Sequence, residues 1–156
     1  MSRRMLLVAA ASAALVAVST AIVPAQAQQA QFGSAAEARA MLDKAVAAVR
    51  ADKNKALAAF NAGTDGFKDR DLYPFCIDAR TELFSAHPTL RGTNARTLQD
   101  AVGNDPGEQL LRAGAVEGRL NEAAYFFPRP GTTAPMPKLS YVLRVGDQIC
   151  GVGYYK

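Results

Sequence analysis

The apolar residues change rhythm twice along the chain, and the changes divide it into three parts. Met5 to Val23 is a nearly unbroken alanine-rich apolar run, interrupted only by Ser12, Ser19 and Thr20. Further on, Met41, Leu42, Ala45, Val46 and Val49 recur at the spacing of one helix face. Ser34-Ala35-Ala36-Glu37 ahead of them is a capping box, in which serine and glutamate each satisfy a free backbone N–H at a helix start. Asp52 is placed to cap a second helical run with Ala56, Leu57 and Phe60 inward, ended by Gly63 and Gly66. The pattern does not decide whether the helix bends at Asp52.

From Asp71 the periodicity is that of strands. Leu72–Asp78 and Glu82–Ala86 are short and β-prone, and the polar link Ala79-Arg80-Thr81 predicts a hairpin. Pro74 predicts a sheet edge or a bulge, and His87-Pro88 ends the second strand. Residues 89–107 are polar and rich in turn formers, and Glu108–Val116 predicts a short helix through Leu110, Leu111 and Ala115, closed by Gly118. Three strands complete the chain: Arg119–Phe127, Leu139–Val145 and Gln148–Tyr155. Pro128-Arg129-Pro130-Gly131, prolonged by Pro135–Pro137, forms a loop between the first two, and Gly146-Asp147 a tight turn between the last two. Helices segregated from antiparallel strands predict an α+β domain.

The first apolar run has the three parts of an export signal. Arg3 and Arg4 precede it, Pro24 breaks it, and Ala25-Gln26-Ala27 is the small-x-small pattern that signal peptidase reads. Cleavage is expected after Ala27, with 28–33 as a flexible leader and 34–156 as the domain. An uncleaved membrane anchor is the alternative, because the run nearly suffices to span a bilayer. Ser2-Arg3-Arg4-Met5-Leu6-Leu7 also resembles a twin-arginine signal, so the export route stays open.

Removing 27 of 156 residues leaves 129, enough for one cored domain. It also lowers 18 basic residues to 16 against 14 acidic ones, a net charge of +2 with no basic stripe of the kind a nucleic-acid binder carries. No apolar segment after Pro24 has membrane-spanning length. The expectation is a periplasmic or secreted protein without its own anchor after cleavage. In such a compartment Cys76 and Cys150 form a disulfide by default, closing a loop of about 75 residues; two separate buried thiols are the alternative.

In this order of elements, four words resemble the single Cache domain, the PAS-like extracytoplasmic sensor module of bacterial chemoreceptors and histidine kinases. They are Phe-Ser-Ala-His-Pro at 84–88, Tyr-Phe-Phe-Pro-Arg-Pro-Gly at 125–131, Pro-Lys-Leu-Ser-Tyr-Val at 137–142 and Cys-Gly-Val-Gly-Tyr-Tyr at 150–155. The stretch from the helix ending at Phe60 through Gly66-Phe67-Lys68-Asp69 is similar to that family too. The resemblance implies a five-stranded antiparallel sheet flanked by a long N-terminal helix, with ligand held between the sheet and the loops crossing it. It also implies that the first and last strands are neighbours, which would bring Cys76 to Cys150. Relatives often carry tryptophan near the third strand; this chain has Leu120 and Phe126 there and no tryptophan.

The same resemblance implies that the Lys138, Ser140 and Tyr141 region holds a small carboxylate, for which an ammonium flanked by hydroxyl donors is suited. A solvated lysine beside a strand is the alternative. Tyr125 and Phe127 would supply an aromatic wall or simply core packing. Arg119 and Arg129 are further candidate cations, Arg119 equally an exposed residue after Gly118. His87, the only histidine, would bond ligand or change charge near neutral pH, or else hold the following loop.

No metal-ligand spacing, phosphate loop, haem-attachment motif or Gly-x-Ser-x-Gly is present, so no cofactor, metal or catalytic residue is expected. A Cys76/His87 hydrolase oriented by Asp78 is a minor alternative that needs a free thiol. The leading expectation is a sensor-type protein binding a small organic carboxylate, with a membrane receptor or sensor kinase as possible partner. The competing one is a ligand-free envelope protein that docks on such a receptor.

Overall fold

The computed structural model describes residues 30–156, so the expected signal peptide and its cleavage site lie outside the described residues. The order of elements is α1 (Ala35–Ala51), α2 (Lys53–Ala62), β1 (Pro74–Asp78), β2 (Phe84–Ala86), a 3-10 turn (Ala95–Thr97), α3 (Pro106–Ala113), β3 (Asn121–Pro128), β4 (Pro135–Val145) and β5 (Gln148–Tyr155). The strands form one antiparallel sheet in the order β2-β1-β5-β4-β3. This is the α+β arrangement that the patterning predicts.

Both helix caps form as read. Ser34 and Glu37 close a capping box at α1, and the Asp52 side chain accepts from Lys55 N at 3.0 Å. Asp52 is extended (φ −158°), which settles the open point: the helical run is two helices joined there. Gly63 ends α2 in the left-handed conformation, at φ 66°.

Several boundaries differ from expectation for local reasons. The third helix begins at Pro106, a ring preorganised for the first helical turn, and stops at Gly114, where any side chain would collide with Ile149. Pro74 marks neither an edge nor the bulge itself. It opens β1, an inner strand, just before pairing with β2 begins at Cys76, and the register slips between Cys76 and Ile77. Pro135 and Pro137 belong to β4 rather than to the loop. Lys156 N donates to Pro137 O at 2.9 Å, so these prolines turn their missing N–H toward the side where β5 has ended. Residues 30–33 are tied down rather than frayed: Gly33 N donates to Asp71 Oδ1 (2.7 Å), and Arg70 donates to the carbonyls of Ala30 and Phe32.

The sheet separates two cores. α1 and α2 cover one face, where Leu42, Ala45, Phe60, Cys76, Cys150 and Val152 pack together. α3 and the 87–105 loop cover the other, over Phe75, Ile77, Phe84, Leu110, Tyr125 and Ile149. Cys76 and Cys150 stand directly opposite on the adjacent strands β1 and β5 and are joined by a disulfide. That bond removes the free thiol a Cys76/His87 hydrolase would need, and Cys76 packs on the helix face, away from the core that carries Phe75 and Phe84.

Candidate functional site

Strand alternation brings the site together. On the face away from α1, β1 contributes Phe75, β3 Tyr125 and Phe127, β4 Lys138 and Ser140, and β5 Tyr155, with Tyr73 just ahead of β1. The two residues of β5 that immediately precede Tyr155 on this face are Gly151 and Gly153. A side chain at Gly151 would collide with Phe75, and one at Gly153 with Lys138 and Ser140. The Cys-Gly-Val-Gly-Tyr-Tyr word therefore has a steric reason: its glycines make a flat shelf across which Phe75 and Lys138 lie.

Lys138 is the centre of this arrangement. It is only 3 % exposed, and its Nζ donates to Tyr73 Oη at 2.9 Å. The rings of Tyr73, Tyr155 and Phe127 stand 4.3, 4.9 and 5.2 Å from the ammonium nitrogen. No carboxylate among the described residues lies within ion-pairing distance of it. Burial lowers its pKa to about 7, and the Asp71 charge, which acts the other way, does not offset the lost hydration. Beside it Tyr125 Oη and Ser140 Oγ share a hydrogen bond of 2.8 Å, and burial raises the tyrosine pKa. Burial likewise pushes Tyr155 up to about 12. The polar floor is therefore neutral hydroxyl and one displaced amine.

His87 is caged by aromatic rings, those of Tyr73 and Phe84 at 5.4 Å and Phe127 at 5.7 Å. Its Nδ1 accepts from the backbone N–H of Thr89 and of Leu90, both at 3.1 Å, which assigns the ring proton to Nε2. Burial, with Lys138 adding to it, lowers its pKa to about 3. Of the readings open for His87, the geometry favours the one in which it holds the loop beginning at Pro88, since its Nδ1 accepts two backbone N–H groups of that loop.

The mouth of the site carries a second cation. Arg129 lies 3.3 Å from the buried Asp71 (Nε to Oδ2) and stacks over Phe32 at 3.9 Å and Tyr155 at 5.0 Å. A cleft of about 270 Å³ runs along Tyr73, His87, Phe127 and the 128–132 loop. A separate space bordering Lys138, which shares His87 and Phe127 with that cleft, is only about 10 Å³, one water at most.

Six of the eight candidate residues therefore converge: Lys138, Ser140, Tyr125, Phe127, His87 and Arg129. Two do not. Tyr141 points to the helix face, where it pairs with Tyr154 at 6.0 Å, because it is one residue out of phase with Lys138 and Ser140. Arg119 is exposed on the turn before β3, at the end of the strand away from Tyr125 and Phe127. Tyr73, Tyr155 and Asp71 were missed. The alternation Gly151, Gly153, Tyr155 marks the last tyrosine as facing the site; nothing local marks Asp71.

The fold agrees with known sensor domains. A methyl-accepting chemotaxis protein from Vibrio parahaemolyticus superposes with a TM-score of 0.61 at 23 % identity, covering 77 % of this chain and 86 % of that one. A periplasmic sensor domain of a chemotaxis protein gives 0.56 at 25 % identity, over 76 % and 87 % of the two chains. A Cache chemosensory domain solved for its carboxylic acid recognition gives 0.56 at 23 %, over 76 % and 85 %. No curated protein matches the chain. The Cys76–Cys150 disulfide is consistent with the extracytoplasmic setting of the periplasmic relative. Cache sensor domains are typically non-catalytic binding domains. Residues 8–153 match the family model described as Single Cache domain 2, and with most of its length covered the chain belongs to that family of sensor domains.

Proposed function

We propose that this domain is an extracytoplasmic binding protein for a small organic carboxylate, which it seats against Lys138. The observation that carries the reading is a fully buried lysine whose sole hydrogen-bond partner among the described residues is a tyrosine hydroxyl. An amine so placed costs folding energy, and an incoming carboxylate supplies the charge-assisted bond it lacks. Ser140 and Tyr125 offer hydroxyl donors on the floor, Phe127 and Tyr73 a wall, and Arg129 a cation at the entrance. The carboxylic acid recognition of one structural relative supports the same class of ligand. In this reading the protein is exported by its N-terminal run, then buffers the ligand or presents it to a membrane-bound receptor or sensor kinase.

Thermal-shift and calorimetric titration with one- to four-carbon carboxylates tests it. Saturable stabilisation is expected, reduced at least about tenfold in affinity by Lys138→Met. Affinity should fall as pH rises above about 7, since the free amine loses its proton there and binding needs the ammonium. A second reading, a ligand-free protein that docks on a receptor, is favoured by the small size, about 10 Å³, of the space beside Lys138. It gains if the whole carboxylate series leaves the melting curve unchanged.

A further inference from the structure

We infer that residues 30–33 form a latch across the mouth of the Lys138 site, and that a carboxylate reaching Arg129 releases it. The inference rests on Lys138 being the ligand seat. Five contacts hold the segment. Arg70 Nη1 donates to the carbonyl oxygens of Ala30 (3.2 Å) and Phe32 (3.0 Å), and Asp71 Oδ1 accepts from Gly33 N at 2.7 Å. Gly33 lies so close to Leu72 that any side chain would collide with it. The Phe32 ring lies under the Arg129 guanidinium at 3.9 Å.

Arg70 makes its two bonds from the left-handed region, at φ 54°, a conformation that a β-carbon disfavours. Ion pairs to Glu37 (2.6 Å) and Asp69 (2.7 Å) hold it there. Strain of this kind persists only where surrounding contacts over-determine it.

On its other side Arg129 touches the seat. Its guanidinium is 5.0 Å from the Tyr155 ring, which is itself 4.9 Å from Lys138 Nζ. A continuous path therefore runs from Phe32 through Arg129 and Tyr155 to Lys138. Its weak link is the Arg129–Asp71 pair: Nε and Oδ2 are 3.3 Å apart, both buried, and neither makes a hydrogen bond. Buried groups left in that condition are costly. A carboxylate in the cleft that offers Arg129 an aligned acceptor gains what Asp71 does not provide. Turning to that acceptor takes the guanidinium off Phe32. Coupling of this kind is reciprocal, so cutting the latch must also open the way to Lys138 and favour carboxylate binding there.

The test is the labelling rate of Lys138 by acetic anhydride at constant pH, read by mass spectrometry against exposed Lys55 in the same sample. Phe32→Ala and Arg70→Gln both cut the latch without touching Lys138, and Phe32 is 40 % exposed, so its truncation leaves the core intact. Both variants should raise the Lys138 to Lys55 ratio at least about fivefold and speed amide exchange over 32–34. Faster exchange there with an unchanged ratio overturns the inference, as does unchanged exchange in both variants.

A second arm adds acetate, and then propionate, to the wild-type protein. A Lys138-dependent rise in melting temperature with faster exchange over 32–34 supports release by ligand. The same rise with unaltered exchange overturns the latch and leaves the carboxylate reading standing. Lack of any thermal response to either acid, with the labelling ratio still responding to the two variants, removes the carboxylate reading and retains the latch as a gate on Lys138.

Discussion

The two faces of the sheet are built on opposite rules. The face under α1 and α2 is dry and cross-linked: alanines, Leu42, Phe60 and Val152 pack around the Cys76–Cys150 bond, with no buried charge among them. The face under α3 holds Lys138, Ser140 and His87, all buried, among aromatic rings, with Asp71 at its mouth. One side therefore supplies stability and the other spends some of it on groups that would rest more easily in water. The same central strand serves both, because alternate residues of β5 point to the disulfide core and to the Lys138 shelf.

The comparison can be broken most severely on the dry side. Replacing both cysteines with alanine should cost about 4 kcal/mol, as expected for a crosslink between residues 74 positions apart. Urea unfolding would read the loss, while any carboxylate affinity measured in native buffer should stay within about twofold.

On the polar side the sign reverses. Lys138→Met should stabilise the protein by about 1–4 kcal/mol at neutral pH, as replacing a buried charge with an apolar side chain of similar length often does, while removing ligand binding. The pH dependence carries its signature. The folded amine titrates at about 7 against 10.5 in the solvated unfolded chain, so between those values the unfolded chain holds more protons. Wild-type stability should rise with pH across that window, and the methionine variant should lack the rise. A flat wild-type profile would show that the amine is not desolvated as described.

His87→Asn removes the ring that accepts from Thr89 and Leu90, and a cost of about 1–3 kcal/mol is expected from the two backbone donors left behind. The folded imidazole titrates near 3 and the unfolded one near 6.5, so wild-type stability should fall as pH drops through that interval. Denaturant titrations from pH 7 to 3 would find a shallower decline in the variant.

The smallest effects should come from the two candidates that lie outside the site. Tyr141→Phe and Arg119→Ala should each change stability by less than about 0.5 kcal/mol. Neither should alter carboxylate affinity; a tenfold loss in either would move the seat away from Lys138.

Much of the fold was legible because its signals are local. The Ser34/Glu37 box, the Asp52 cap and the Gly63 stop each act within one turn of chain, and each forms as read. Boundaries are not legible where a proline's tolerance depends on a neighbour: Pro135 and Pro137 sit in β4 only because β5 has already ended beside them. The site was half legible. Lys138, Ser140, Tyr125, Phe127 and Arg129 came from the family words, whereas the phase of Tyr141 came out wrong by one residue, which on a strand means the opposite face.

By itself the sequence determined the α+β order of elements, the helix caps, the family, and two cysteines placed on the first and last strands. Those follow from periodicity, capping chemistry and ordered words, all of which are written along the chain. Only the tertiary structure decided that Lys138 lies under three rings with no carboxylate of the described residues in ion-pairing distance, that His87 Nδ1 accepts from two backbone N–H groups, and that Asp71 and Arg129 meet over Phe32. Burial and charge pairing depend on which distant segments cover a residue. Lys138 and Tyr73 are 65 positions apart in the chain, and no local pattern records their 2.9 Å contact.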